Sequence, residues 1–128
     1  MQRPRCQAEC GTASAMAAAA AVELAGGSPE AAINAAAMVI KNVLGLVCDP
    51  VAGLVEVPCV KRNAMGASLA LVCADMALAG ITSRIPMDDV IMAMDMVAHA
   101  LPVSIKETAL GGLEATPSGQ EIEKRVHS

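Results

Sequence analysis

The sequence predicts an all-α fold: a compact helical domain of about four main helices with a cysteine-bearing loop at its centre. Three observations carry that expectation. Apolar residues recur at helical spacing over long stretches, as in Ile33, Ala36, Ala37, Ile40, Val43 and Leu44. Hydroxyl, proline and acid start signals and glycine stop signals bracket those stretches. The best candidate for extended structure is the four-residue piece Leu54-Val55-Glu56-Val57, too short to found a sheet.

Residues 1–11 hold Cys6 and Cys10 in a polar segment with Pro4 and Gly11 and no apolar period, and read as a loop. Thr12 is placed to cap the alanine-rich run that follows and Gly26-Gly27 to end it, which predicts a first helix from Thr12 to about Ala25. So many alanines make a narrow helix that neighbours can approach closely. Ser28-Pro29-Glu30 supplies a capping hydroxyl, proline at the first helical position and an acid in the first turn. A second helix is expected from about Pro29 to Leu44. Pro50, Gly53 and Pro58 then break any helix, and Pro58 suits the first turn of a third, which carries Cys59 and continues to Gly80. That places Cys59 at the positive end of a helix dipole, where a thiol pKa falls and an anionic ligand set is favoured. A fourth helix opens at Pro86 with Asp88 and Asp89 and runs to Leu101 before Pro102. Val103 to Gly112 is amphipathic for about two turns, Glu114 to Gly119 is turn-like, and the end is a charged, frayed tail. Without an internal repeat or a long linker, residues 1–128 read as a single domain.

With 128 residues, 55% hydrophobic and 17% charged, the chain is long and apolar enough for one real core. It has no Phe, Tyr or Trp, so it offers no platform for stacking bases, and its net charge of −4 repels phosphate. Nucleic acid is therefore excluded as a partner. The uncharged run from Thr12 to Val22 falls short of the roughly 20 residues that cross a bilayer, and no signal peptide shape precedes it, so no membrane association and a cytoplasmic place are expected. An odd count of five cysteines argues for metal or reactive thiols over a disulfide framework. A positive mean hydropathy without a membrane span implies that another segment or subunit covers part of the apolar surface.

Three or four thiolates converging from separate segments make an iron-sulfur or zinc site. Cys6, Cys48 and Cys59 stand outside helix interiors, whereas Cys73, between Val72 and Ala74, reads as a small buried hydrophobe. Cys10 lies four residues after Cys6, a spacing compatible with a zinc site built from Cys6, Cys10, Cys48 and Cys59. On spacing alone the metal stays open. His99 reads as a helix C-terminal residue, His127 as tail, and Met87, Met92, Met94 and Met96 as core filling in a chain without aromatics. Asp49 reads as a turn former, while Lys61 and Arg62 are either a solvated first turn or the cations beside an anionic centre. Asn63 and Lys106 are the candidate substrate contacts. No phosphate loop, Ser/His/Asp set or Cys-x-x-Cys pair is present.

Cys6-Gln7-Ala8-Glu9, the run Gly45-Leu46-Val47-Cys48-Asp49-Pro50 through Val57-Pro58-Cys59-Val60-Lys61-Arg62-Asn63, and Lys106-Glu107-Thr108-Ala109-Leu110-Gly111-Gly112-Leu113 occur in this order. Together they resemble the α chain of bacterial iron-sulfur-dependent L-serine dehydratase, over about Arg3 to Pro117. The resemblance implies a [4Fe-4S] cluster held by Cys6, Cys48 and Cys59. Its fourth iron, without a protein thiolate, would act as a Lewis acid on the carboxylate and β-hydroxyl of L-serine, giving pyruvate and ammonia. Cys10 and Cys73 fall where the family pattern does not call for cysteine. Family α chains extend further at the N-terminus, and a β subunit or domain completes the enzyme. The chain is accordingly expected to be the C-terminal, cluster-binding portion of an oligomeric enzyme, inactive alone. Its partners would be L-serine, the β part and the earlier α segment. The α-proton base is expected on those missing parts, so no catalytic residue is assigned here. Two alternatives stand beside this: a related lyase acting on cysteine or threonine, and a metal-free helical module that serves as a subunit contact.

Overall fold

The computed structural model describes residues 5–128, with Arg5 described by its backbone. Among the described residues it is all-α: α1 (Arg5–Leu24), α2 (Pro29–Asn42), α3 (Cys59–Leu78), α4 (Met87–Ala100) and α5 (Pro117–Val126), with 3-10 turns at Val51–Gly53 and Val103–Ile105. The helices α1, α2 and α3 pack against one another, α4 lies mainly on α2, and α5 sits on the 3-10 turn at Val51–Gly53. Ser28 caps α2, its hydroxyl accepting from the Ala31 amide, with Pro29 opening the first turn and Glu30 behind it. The observed ends of α2, α3 and α4 lie within two residues of those expected from the sequence.

The core is built from small side chains. Ala15, Ala18 and Val22 of α1 meet Ala35 and Val39 of α2, Ala70, Cys73 and Ala77 of α3, and Val90 of α4. Without rings to fill space, packing density is reached by bringing backbones together. At Gly66 of α3 a Cβ would fall on the buried Ser14 hydroxyl, which donates to the Cys10 carbonyl. Larger apolar residues are left outside: Leu24 is 89% exposed, Met96 65% and Leu71 61%. The methionines divide, Met87 and Met94 packing on the core while Met92 and Met96 face out. Among the described residues no helix is long and apolar enough to cross a membrane.

Three expectations are corrected. The segment read as a loop up to Gly11 is helical from Arg5, and Thr12 is an exposed residue inside α1 instead of its cap; Met1 to Pro4 lie outside the described residues. The polar first turn is held by tertiary bonds. Gln7, 1% exposed, donates to the Met94 carbonyl at 2.9 Å and accepts from the Gly45 amide at 2.8 Å. Gly11 keeps the same helix clear of Val43, whose Cγ2 a Cβ there would meet at 2.9 Å. Second, the amphipathic stretch after Pro102 forms one 3-10 turn, because Glu107 and Ala109 adopt φ of 63° and 53°, in the left-handed region that ends a helix. Third, the charged tail is α5. The Thr116 hydroxyl accepts from the Gly119 amide and Pro117 opens the first turn, the same start signal as at Ser28-Pro29.

Because Gly66 sets the approach of α3 to α1, Gly66→Val should destabilise the domain by about 1–3 kcal/mol through overpacking. Urea unfolding followed by far-UV circular dichroism would show an earlier midpoint, and an unchanged midpoint would mean the crossing is looser than described.

Candidate metal centre

Cys6, Cys48 and Cys59 come from three separate segments and lie near enough for their charges to act on one another. Cys6 is in the first turn of α1, Cys59 is the first residue of α3, and Cys48 lies between α2 and the 3-10 turn at Val51–Gly53. Two helix N-termini, each with unpaired N–H groups and positive dipole character, thus bring a cysteine to the site. Cys48 is placed by an isolated parallel bridge to Lys106: its N–H donates to the Ile105 carbonyl at 2.9 Å and its carbonyl accepts from Glu107 at 2.7 Å. The Cys6 and Cys48 thiols are close enough to perturb each other, and the charge of Cys59 bears on both.

All five cysteines are free thiols, and only Cys59 is partly exposed. Burial pushes the Cys6 thiol up most, followed by the influence of Cys48 and the repulsion of Cys59 and Cys10. Burial likewise raises Cys48, with the charges of Glu107 and Cys59 adding to it. Cys10 sits one helical turn after Cys6; burial and then Glu9 raise its pKa, while Arg62 opposes them. The structure therefore brings Cys10 beside the three expected ligands, a consequence of α1 starting before it. Cys73 is elsewhere, fully buried among core residues, as its sequence context implied. Among the described residues no three His, Cys, Asp or Glu side chains are disposed to hold a single metal ion.

The ring around the thiols is anchored by Asp49, which is 3% exposed. Its Oδ1 accepts from Arg62 Nη1 at 2.8 Å and its Oδ2 from the Leu113 amide at 2.9 Å. The same Nη1 donates to the Val47 carbonyl at 2.8 Å. Gly112, at φ 68°, passes over this carboxylate so closely that a Cβ would lie 2.5 Å from the Asp49 Cβ. Asp49 is thus a buried ion-pair partner, a larger role than the turn bond expected of it. Glu114 does a related job next door: Oε2 accepts from the Ala52 amide at 2.5 Å, steadying a residue at φ 55°, while Oε1 has no partner among the described residues. Neither Gln7 nor Glu114 stood out in the sequence, since each is an isolated polar residue in a polar segment.

The candidate substrate contacts are turned aside. Asn63 Nδ2 donates to the Cys59 carbonyl and Lys106 Nζ to the His99 carbonyl, both on the exposed side. His99 Nδ1 lies 2.8 Å from the Asp95 carbonyl, in keeping with a helix-end role.

Neighbouring cysteines, two of them in first turns of helices, beside a buried Asp–Arg pair on an all-α frame, define a helical cysteine-bearing domain. Residues 5–114 match the family model described as serine dehydratase alpha chain, and the chain belongs to that family. It is 66% identical over 121 residues to a probable L-serine dehydratase alpha chain of Bacillus subtilis, covering 94% of this chain and 40% of the relative. It is 55% identical over 119 residues to the L-serine dehydratase alpha chain of Peptoniphilus asaccharolyticus, covering 93% and 41%. Against the L-serine dehydratase of Streptomyces coelicolor it is 48% identical over 109 residues, covering 84% of this chain and 24% of that one. The chain thus spans about two fifths of these two alpha chains and about a quarter of the longer relative.

Burial and thiol chemistry together predict an order of modification. Under iodoacetamide at pH 8, peptide mass mapping of the metal-free chain should find Cys59 alkylated first and Cys6, Cys10 and Cys48 at least several-fold more slowly, since the thiolate is the reactive form. Equal rates at all four would contradict the described packing.

Proposed function

We propose that this chain is the cluster-binding part of an L-serine dehydratase, in which L-serine is converted to pyruvate and ammonia and Cys6, Cys48 and Cys59 hold a [4Fe-4S] cluster. The observation that supports the reading is that three cysteines from separate segments, two of them in first turns of helices, lie near enough to influence one another within the residues matched by the family. The donor set fits the group: soft thiolates suit iron-sulfur centres, and a cluster takes its thiolates at separate irons, so it does not require the tight convergence of a single-ion site. When bound, the cluster supplies an iron without a protein thiolate, a Lewis acid toward the hydroxyl and carboxylate of serine.

The chain's own residues provide the setting for this chemistry. The N-termini of α1 and α3 favour negative charge at Cys6 and Cys59. The bridge to Lys106 fixes the backbone of Cys48, and Asp49 with Leu113 closes the loop over it. Cys59, partly exposed, marks the side from which substrate reaches the site. The group that takes the α-proton is assigned to the remainder of the alpha chain or to a β subunit or domain, in a cytoplasmic oligomer. The names of the relatives support serine over cysteine or threonine as substrate. Pyruvate, sulfide and 2-oxobutyrate release by the complete enzyme would separate the three.

A second reading is favoured by one observation, the Cys10 thiol beside Cys6: a four-thiolate zinc site. Anaerobic reconstitution with iron and sulfide distinguishes the two. The cluster reading predicts a brown protein with broad visible absorbance that oxygen bleaches, and loss of at least most of that absorbance in Cys48→Ala or Cys59→Ala. A colourless protein with stoichiometric zinc would overturn it.

A further inference from the structure

Arg62 occupies the first turn of α3, where a basic side chain ordinarily points to water and opposes the helix dipole. Here it turns inward, its side chain 17% exposed against 4% for its partner Asp49. Two of its bonds leave from Nη1, to the Asp49 carboxylate and the Val47 carbonyl, so the rest of the guanidinium fork remains for other acceptors. The Asp49 and Val47 acceptors belong to the residues on either side of Cys48, so Arg62 is held beside that cysteine, and the charge of Cys6 also bears on it. The neighbouring cations do not compete for this place: Lys61 is exposed, and Lys106 Nζ donates to the His99 carbonyl.

We infer that Arg62 is the built-in countercharge of the thiolate site, and that Asp49, its buried ion-pair partner, holds it beside Cys48 and offsets part of its charge. The inference rests on the cluster reading given under Proposed function. Its physical basis is a fixed pair. Asp49 is locked on its far side by the Leu113 amide, and the missing side chain of Gly112 makes room for it there. The guanidinium is thereby fixed between the residues that flank Cys48, with the carboxylate tied to the Leu113 backbone. A guanidinium suits this task better than an ammonium, because its rigid fork can serve carboxylate and carbonyl at once and it keeps its charge when buried. Burial opposes that charge, and the hydrogen bond and charge of Asp49 followed by the charge of Cys6 outweigh the opposition, so its pKa is raised. Hydrogen bonds to the sulfurs and nearby charge are among the factors that set the potential of an iron-sulfur centre. Positive charge eases the addition of an electron and negative charge resists it.

The pair therefore makes a prediction of opposite signs. In the full chain, reconstituted anaerobically with iron and sulfide, the cluster potential is measured by redox titration with the reduced form followed by electron paramagnetic resonance. Arg62→Gln should shift the potential to more negative values and Asp49→Asn to less negative ones, with Arg62→Lys between Arg62→Gln and the unsubstituted chain. Far-UV circular dichroism and iron content confirm that each variant is folded and loaded. Should Asp49→Asn fail to fold, the ordered series from Arg62 through Lys to Gln still decides. If the unsubstituted chain takes up no cluster, the parent reading falls and the inference with it. If clusters form and the potentials are unmoved, or move in the same direction for both sites, the inference alone is overturned.

Discussion

The Asp49 carboxylate ties together three segments that are far apart in the chain. One oxygen holds Arg62 in the first turn of α3 and the other holds the backbone amide of Leu113, while its own backbone follows directly on Cys48. Such a pair is demanding to build, because an unpartnered charge left behind in a buried site costs about 3–5 kcal/mol. Its geometry therefore has to be secured from every side. Gly112 gives up its Cβ to admit the carboxylate, the Val47 carbonyl takes a second bond from the guanidinium, and the Cys48–Lys106 bridge pins the neighbouring backbone. The placement of Cys48 and of the start of α3, and with it Cys59, follows from these bonds. Cys6 reaches the same point by a different anchor, Gln7, which joins α1 to α4 and to the turn at Gly45.

The helices were legible where local signals and tertiary packing agree. Ser28-Pro29-Glu30 and Pro86 with Asp88 and Asp89 mark starts that the structure keeps, and of the apolar period of α2 Ala36, Ala37, Ile40 and Val43 are buried, whereas Ile33 is exposed. The start of α1 was not legible, because its first turns are polar and their stability comes from Gln7 and the close seat of Gly11 against Val43, neither of which leaves a periodic trace. The helix also puts Cys10 on the same face as Cys6, the neighbourhood that their four-residue spacing suggests. α5 was readable in principle from Thr116-Pro117, but the charged residues after it obscured the signal. Of the candidate site, the flanking segments single out the three cysteines, while Lys61 and Arg62 read either as a solvated first turn or as cations beside an anionic centre, and the structure turns Arg62 inward. The Asp49–Arg62 pairing depends on a separation of thirteen residues that no local pattern encodes.

A core of alanine, valine and cysteine has a further consequence. Burying a methyl group contributes less than burying a leucine, roughly 0.8 kcal/mol per carbon, while Leu24, Leu71 and Val72 remain on the surface. The chain spans about two fifths of the Bacillus subtilis and Peptoniphilus asaccharolyticus alpha chains. Such a frame is suited to hold a preformed thiol site with closely approaching backbones, and it leaves apolar surface for further packing.

The central claim, a three-thiolate cluster with one iron left open, is most directly tested by Mössbauer spectroscopy of the chain reconstituted with iron-57, recorded with and without L-serine. The account predicts a four-iron centre in which one iron differs from the other three and responds alone to serine. Four irons that remain equivalent, or a centre that still forms in full when Cys6, Cys48 and Cys59 are all replaced by alanine, would contradict it.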